Sequence, residues 1–209
     1  MMNCAIVSRN ARSSGRTHTR AADIAPPTLP CYTQARLIHC HTTTHMLMDI
    51  YVFLDQHDIP YTRVDHPPVY TVAEAEAKVP PLPGANLKNL FVRNKAGSHH
   101  WLVVVPYEKQ VDLQGLAAVL GEKRLSLASP ERLMQHLGVE PGAVSLLAVV
   151  NDTAAGVEVI VDADLWQAEL LKCHPLVNTS TLALRRVDVA RLLDLTNHPV
   201  RLLDVPAHT

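Results

Sequence analysis

Three polar interruptions in otherwise apolar stretches hold the side chains best suited to chemistry. They are Lys88-Asn89 inside Leu87-Lys88-Asn89-Leu90-Phe91-Val92, the turn-like Gly142-Ala143-Val144-Ser145 ahead of another apolar run, and Cys173-His174-Pro175-Leu176-Val177-Asn178-Thr179. A lysine in an apolar strand is costly to bury unless its ammonium meets an anion. Either Lys88 has such a partner, or it sits at the strand edge and carries its charge to water along its aliphatic stem. His174 precedes a proline and is therefore held extended. It is either a functional imidazole or a partly buried histidine bonded to backbone. Cys173 reads as a small core residue rather than a nucleophile, because no positive neighbourhood can be inferred for it. Asn178 and Thr179 are either site residues or simply a turn. The sequence contains no GxGxxG, GxxxxGK, HExxH or GxSxG, so dinucleotide binding, P-loop chemistry, zincin proteolysis and the nucleophile elbow lose their usual support.

The elements that must position these residues follow from periodicity. From Asp49 a helix is expected, with Ile50, Phe53 and Leu54 at helical spacing, followed by an alternating strand from Ile59 to Val64. Thr71 with Glu74 three residues on forms a capping box for a short helix over 71–77, which Pro80-Pro81-Leu82-Pro83-Gly84 must end. Leu87 to Arg93 and Trp101 to Val105 read as a hairpin across Asn94-Lys95-Ala96-Gly97. Two helices follow: one is capped by Asp112, and the other by Ser129 with Pro130 in its first turn and Gly138 at its end. Strands are expected at Ser145 to Val150, Val157 to Val161 and Thr179 to Leu184. A helical or irregular piece carries Trp166, a helix covers Val187 to Leu195, and a last strand runs from Val200 to Val205. Interleaved strands and helices with frequent hairpins point to a mixed sheet rather than a doubly wound parallel one.

With 209 residues, 47% of them apolar, the chain can build one compact core. Nineteen Lys and Arg nearly cancel twenty Asp and Glu, so no global positive field holds a long nucleic acid, and any RNA contact must be local. Residues 1–46 read differently. They carry five arginines, many Ser and Thr, a single acid at Asp23 and no periodicity, which marks a disordered extension or a start codon placed upstream of Met46 or Met48. Cys31, His39, Cys40, His41 and His45 match no zinc spacing and read as coincidence, so no metal is expected. Scattered cysteines and the absence of a membrane-length apolar run fit a cytoplasmic protein without membrane association. The sequence is silent on oligomeric state.

At the three interruptions the chain resembles the editing-domain superfamily that includes the insertion domain of bacterial prolyl-tRNA synthetases, the YbaK deacylases and freestanding prolyl-tRNA deacylases of the alanyl-specific type. The resemblance covers about residues 48–205. It rests on Ile59-Pro60-Tyr61 with Asp65-His66-Pro67-Pro68-Val69, on Lys88-Asn89-Leu90-Phe91, on Gly142 to Ser145 with Ala148-Val149-Val150-Asn151-Asp152, and on His174-Pro175-Leu176-Val177-Asn178 with Thr179. It implies a single α/β domain of α+β character over 47–207, a mixed, curved β-sheet wrapped by helices. It also implies hydrolysis of a mischarged aminoacyl-tRNA without a cofactor. Lys88 and His174 are then the catalytic residues, while Asn89, Gly142, Ala143, Ser145, Asn178 and Thr179 contact the tRNA 3′ end, with the Gly142 to Ser145 amides facing the ester oxygen. One departure stands out: relatives commonly carry proline where this chain has Leu146, which bears on the pocket floor.

The resemblance makes alanine on proline tRNA the first substrate choice and prolyl-tRNA synthetase a possible second partner. Cysteine or serine on tRNA is the alternative within the class. A non-catalytic tRNA- or protein-binding module on the same fold, and a small-molecule binder using the Lys88 pocket, are the alternatives outside it.

Overall fold

The computed structural model describes residues 47–68 and 79–208. The extension over 1–46, with its cysteines and histidines, and the helix expected over 71–77 lie outside the described residues. Asp49 starts α1 (Ile50–Gln56), its carboxylate accepting from the Tyr51 and Val52 amides, and Ile50, Phe53 and Leu54 turn into the core. The extended segment after it becomes β1 (Thr62–Asp65).

The hairpin forms as read. β2 (Leu87–Asn94) pairs antiparallel with β3 (His100–Pro106), Arg93 standing opposite His100, and the Asn94 side chain closes the turn by accepting from the Ser98 amide. α2 (Leu113–Val119) starts at Asp112 as expected, and α3 (Pro130–Leu137) ends at Gly138, whose φ of 63° is the left-handed conformation a helix stop needs. Between them β4 (Leu125–Leu127) adds to the edge of β2, a three-residue strand too short for a pattern to reveal.

The expectation of a strand from Ser145 to Val150 is corrected. Leu146–Asn151 is a 3₁₀ helix, and every residue in it is buried. A continuous apolar run shows no periodicity once all its faces are covered, so strand and helix cannot be told apart there. The Ser145 hydroxyl accepts from the Leu147 amide to start the turn, and Asn151 ends it by donating to Leu137 O. After it come β5 (Val157–Asp162), a second 3₁₀ turn at Leu165–Gln167, and β6 (Leu170–Cys173). The last elements are β7 (Ser180–Arg185), α4 (Arg186–Leu195) and β8 (Val200–Leu203). The sequence reading had no strand at β6.

Two sheets result. One is five-stranded and mixed, in the order β4-β2-β3-β5-β8, antiparallel across β4, β2 and β3 and parallel across β3, β5 and β8. The other is three-stranded and antiparallel, in the order β1-β7-β6. The main core lies between them and includes Phe91, Leu102, Val104, Val159, Leu146, Leu171, Cys173, Leu182 and Leu184. A smaller core under α2 covers the other face of the large sheet through Val92, Val103, Val105, Leu116 and Ile160. Both faces of β3 are therefore dry, which is why its sequence is apolar at every position from Trp101 to Val105.

The sheets join at one seam. Just before β2, Ala85 makes a parallel bridge to Leu171 of β6, its amide donating to Leu170 O and its carbonyl accepting from the Lys172 amide. Gly84 precedes it with φ 122° and passes so close to β6 that an added Cβ would lie 3.0 Å from Leu170 O. Only glycine allows the two backbones to meet there.

Candidate active site

The seam decides which sequence-predicted residues share a face. Ala85, Leu87 and Phe91 pack against the main core from one side of the seam, and Leu171 and Cys173 pack against it from the other. Side chains alternate along extended chain, so Asn86 and Lys88 on one strand and Lys172 and His174 on the other lie on the opposite face. Three residues beyond the Ala85–Leu171 bridge along each parallel segment stand Lys88 and His174. The hydrogen bond from Lys172 Nζ to Asn86 Oδ1, 3.2 Å, joins side chains across the seam on this same face. The two expected catalytic residues, 86 positions apart in the chain, are thus brought to neighbouring strands on one surface.

His174 is held at three points. Its carbonyl accepts from Ser145 Oγ at 2.6 Å, its Nδ1 lies 3.2 Å from Ser180 O, and Pro175 beyond it is buried. A carbonyl oxygen can only accept, so Nδ1 carries the proton and Nε2 of the neutral ring keeps a lone pair. Burial pushes the His174 pKa below the ordinary histidine value; the Ser180 bond opposes this and the neighbouring His66 adds to it. At neutral pH the side chain is therefore an uncharged imidazole with a fixed tautomer and a basic nitrogen. Leu176, two residues on, takes φ 63°, a costly conformation for a residue with a Cβ, and packs against the main core. Core packing of Leu176 thus forces the sharp turn after the histidine.

Asn89 points the other way from Lys88. Its Nδ2 donates to Val144 O at 3.1 Å, tying β2 to the Gly142 loop, while its Oδ1 is buried without a partner among the described residues. An orphaned acceptor of this kind costs about 1–3 kcal/mol and is the sort of group a ligand donor can satisfy. Gly142 is exposed with φ 89°, which lets the loop turn sharply after Pro141.

Two expectations for this loop are corrected. The Ala143 amide does not face outward as a free donor, because it already donates to Glu140 O at 3.1 Å. Ser145 has no exposed surface with which to touch a substrate; its hydroxyl is spent between Leu147 N and His174 O, so it fixes the histidine instead. Leu146 is fully buried in the main core. It occupies the first position of the 3₁₀ helix, where a proline's missing amide would also be tolerated. Asn178 and Thr179 lie in the turn that returns to β7, with Thr179 O accepting from the His66 amide at 2.9 Å.

That last contact exposes residues the sequence reading did not place in the site. His66 is buried, its Nε2 3.0 Å from Thr181 Oγ1 and its ring edge-on to His174 at 6.5 Å between centroids. On the core side of β7, Ser180 Oγ lies 3.4 Å from the Tyr51 hydroxyl. The signal for His66 was its place before Pro67-Pro68, but nothing local says which strand it will meet. Cys173 is buried, and burial pushes its thiol up to about 12, so it is a core residue and no nucleophile. A groove of about 430 Å³ lined by Glu158, Asn197, His198 and Arg201 contains none of these residues.

Comparison with known proteins identifies the family. The family model of the aminoacyl-tRNA editing domain matches residues 66–192. The prolyl-tRNA editing protein ProX of Acetoanaerobium sticklandii is 34% identical over 152 residues, covering 73% of this chain and 93% of that protein. The prolyl-tRNA synthetase associated domain-containing protein 1 of Danio rerio is 34% identical over 148 residues, 70% of this chain and 80% of that one. Among solved structures, one described as a candidate trans-editing enzyme for prolyl-tRNA synthetase aligns with a TM-score of 0.52 at 19% identity, over 71% of this chain and 87% of that one. A protein used as a scaffold for epitope grafting aligns at 0.60 and 18% identity, over 77% and 96%. These two alignments concern the fold.

Proposed function

The chain belongs to the aminoacyl-tRNA editing domain family, and on that premise we propose that it is a freestanding deacylase that hydrolyses alanine mischarged onto proline tRNA. The observation that supports this reading is the neutral, tautomer-fixed His174, three residues beyond the Ala85–Leu171 bridge as Lys88 is on the other segment. The proline tRNA in this reading comes from relatives named for prolyl-tRNA editing.

The reaction is the addition of water to an activated ester, releasing the free amino acid and restoring the ribose hydroxyl at the tRNA 3′ end. In this reading the Lys88 ammonium grips a phosphate or ribose oxygen of the terminal adenosine. His174 Nε2 accepts a hydrogen bond from the attacking water or from the vicinal ribose hydroxyl that assists it. The Ser180 carbonyl holds that ring and the Ser145 hydroxyl holds the His174 backbone, so little reorganisation is needed when charge develops. Asn89 braces the Gly142 loop from the core side with its amide. Selection for a small side chain is steric: a methyl-sized pocket excludes larger residues well and smaller ones poorly.

The test is a deacylation panel with proline tRNA charged with alanine, serine, cysteine or proline. The expected result is fastest release of alanine and negligible release of proline. Binding of the charged tRNAs with no hydrolysis of any would overturn the assignment and leave a binding module.

A further inference from the structure

We propose that Lys172, with Asn86 beside it, is a docking point for a phosphodiester of the single-stranded tRNA 3′ end, one step upstream of the nucleotide held at Lys88 and His174. The inference rests on the deacylase reading and deepens it by giving the RNA strand a direction along the seam.

Four side chains carry the argument. Asn86 and Lys88 are two residues apart on one strand, and Lys172 and His174 are two apart on its parallel neighbour, all on the face turned from the main core. Extended chain spaces the members of each pair about 7 Å apart along their own segment. Across the seam Lys172 and Asn86 are joined by the 3.2 Å hydrogen bond from Nζ to Oδ1, one residue beyond the Ala85–Leu171 bridge. The Lys172 backbone is fixed to the seam by its amide bond to Ala85 O, so the ammonium is presented from a rigid strand.

The neighbours of Lys172 on that face leave its charge uncompensated. Ala183 stands directly opposite it on β7, Leu170 and His174 flank it along β6, and Thr62 follows beyond Ala183 on β1. Among the described residues Lys172 has no carboxylate partner, whereas Lys109 and Arg185 both do. Asn86 is exposed and neutral, and its amide NH₂ is a donor suited to a phosphate oxygen. With the chain's net charge at −1, such a local cation is the means left for holding RNA. In this proposal the terminal aminoacyl nucleotide lies at Lys88 and His174 and the preceding phosphate lies at Lys172, two residues back from His174 on the same segment.

The experiment compares the wild-type chain with Lys172→Gln and Lys172→Arg on alanyl-tRNA(Pro) across a salt series, and on alanyl-adenosine, which has no phosphate. For Lys172→Gln on tRNA the expected loss is about tenfold in kcat/KM, falling on KM rather than kcat. The slope of log kcat/KM against log salt should become shallower by about 0.7, the value for one lost single-strand phosphate contact. Lys172→Arg should restore both, and on alanyl-adenosine the variant's deficit should disappear. Wild-type kinetics and an unchanged salt slope in Lys172→Gln would overturn the inference alone. An equal deficit on alanyl-adenosine would also overturn it, by assigning Lys172 a structural role. Absence of wild-type deacylation on every substrate would overturn the deacylase reading and this inference with it.

Discussion

A histidine becomes a useful base when its tautomer is set and its charge is suppressed, and at His174 separate contacts do each. The Ser180 carbonyl fixes the proton on Nδ1, and burial keeps the ring neutral. Activity that depends on the Nε2 lone pair must therefore fail when that nitrogen is protonated. Because the His174 pKa is lowered, kcat/KM should stay flat from neutral pH down through about 6.5, the ordinary histidine value, and fall only at more acid pH. A pH–rate profile measured with an activated alanyl ester checks this; a rate that rises as pH falls through the ordinary value would show that the ring works as a cation. At this scale the sequence was legible as residue types but not as roles. Lys88, Asn89 and His174 stood out because each breaks an apolar run. That Ser145 would serve the histidine rather than the substrate could not be read, because its partner lies 29 positions away and is a backbone oxygen.

Elements were most legible where their caps are chemical. Asp49, Asp112 and Gly138 each mark a helix end that the structure confirms, and the β2–β3 hairpin follows from its turn. The Leu146–Asn151 helix and β6 were not legible, since a run covered on all sides shows no period and a four-residue strand shows too little of one. The join between α3 and the hairpin carries a testable charge. His100 is buried, stacks on Phe91 at 5.5 Å, lies 4.1 Å from the His136 ring, and its Nε2 accepts from Arg132 at 2.8 Å. Burial, with His136 and Arg132 adding to it, pushes His100 down to about 4. The unfolded chain takes up a proton near 6.5 and the folded chain does not, so this group's stability is fully present above about 6.5 and is lost as pH falls toward about 4. The slope is at most about 1.4 kcal/mol per pH unit for one proton. Urea unfolding at pH 7 and pH 5 should show a smaller difference in His100→Leu than in the wild-type chain; an equal difference would show that His100 does not titrate between folded and unfolded states.

At the scale of the whole molecule, the candidate site lies where, among the described residues, the two sheets meet at the Ala85–Leu171 bridge. A mixed sheet was legible from interleaved strands and hairpins, yet its division into five and three strands was not, because the bridge is one residue pair enabled by Gly84. That pair sets the local register, with Lys88 and His174 each three residues beyond it. Measuring alanyl-tRNA(Pro) deacylation by Lys88→Ala against the wild-type chain, with thermal unfolding to confirm that the variant folds, tests this arrangement most directly. The account predicts a folded variant whose rate falls on the order of a hundredfold or more, the scale of losing one charge-stabilising group. A folded Lys88→Ala variant that releases alanine at the wild-type rate would contradict it.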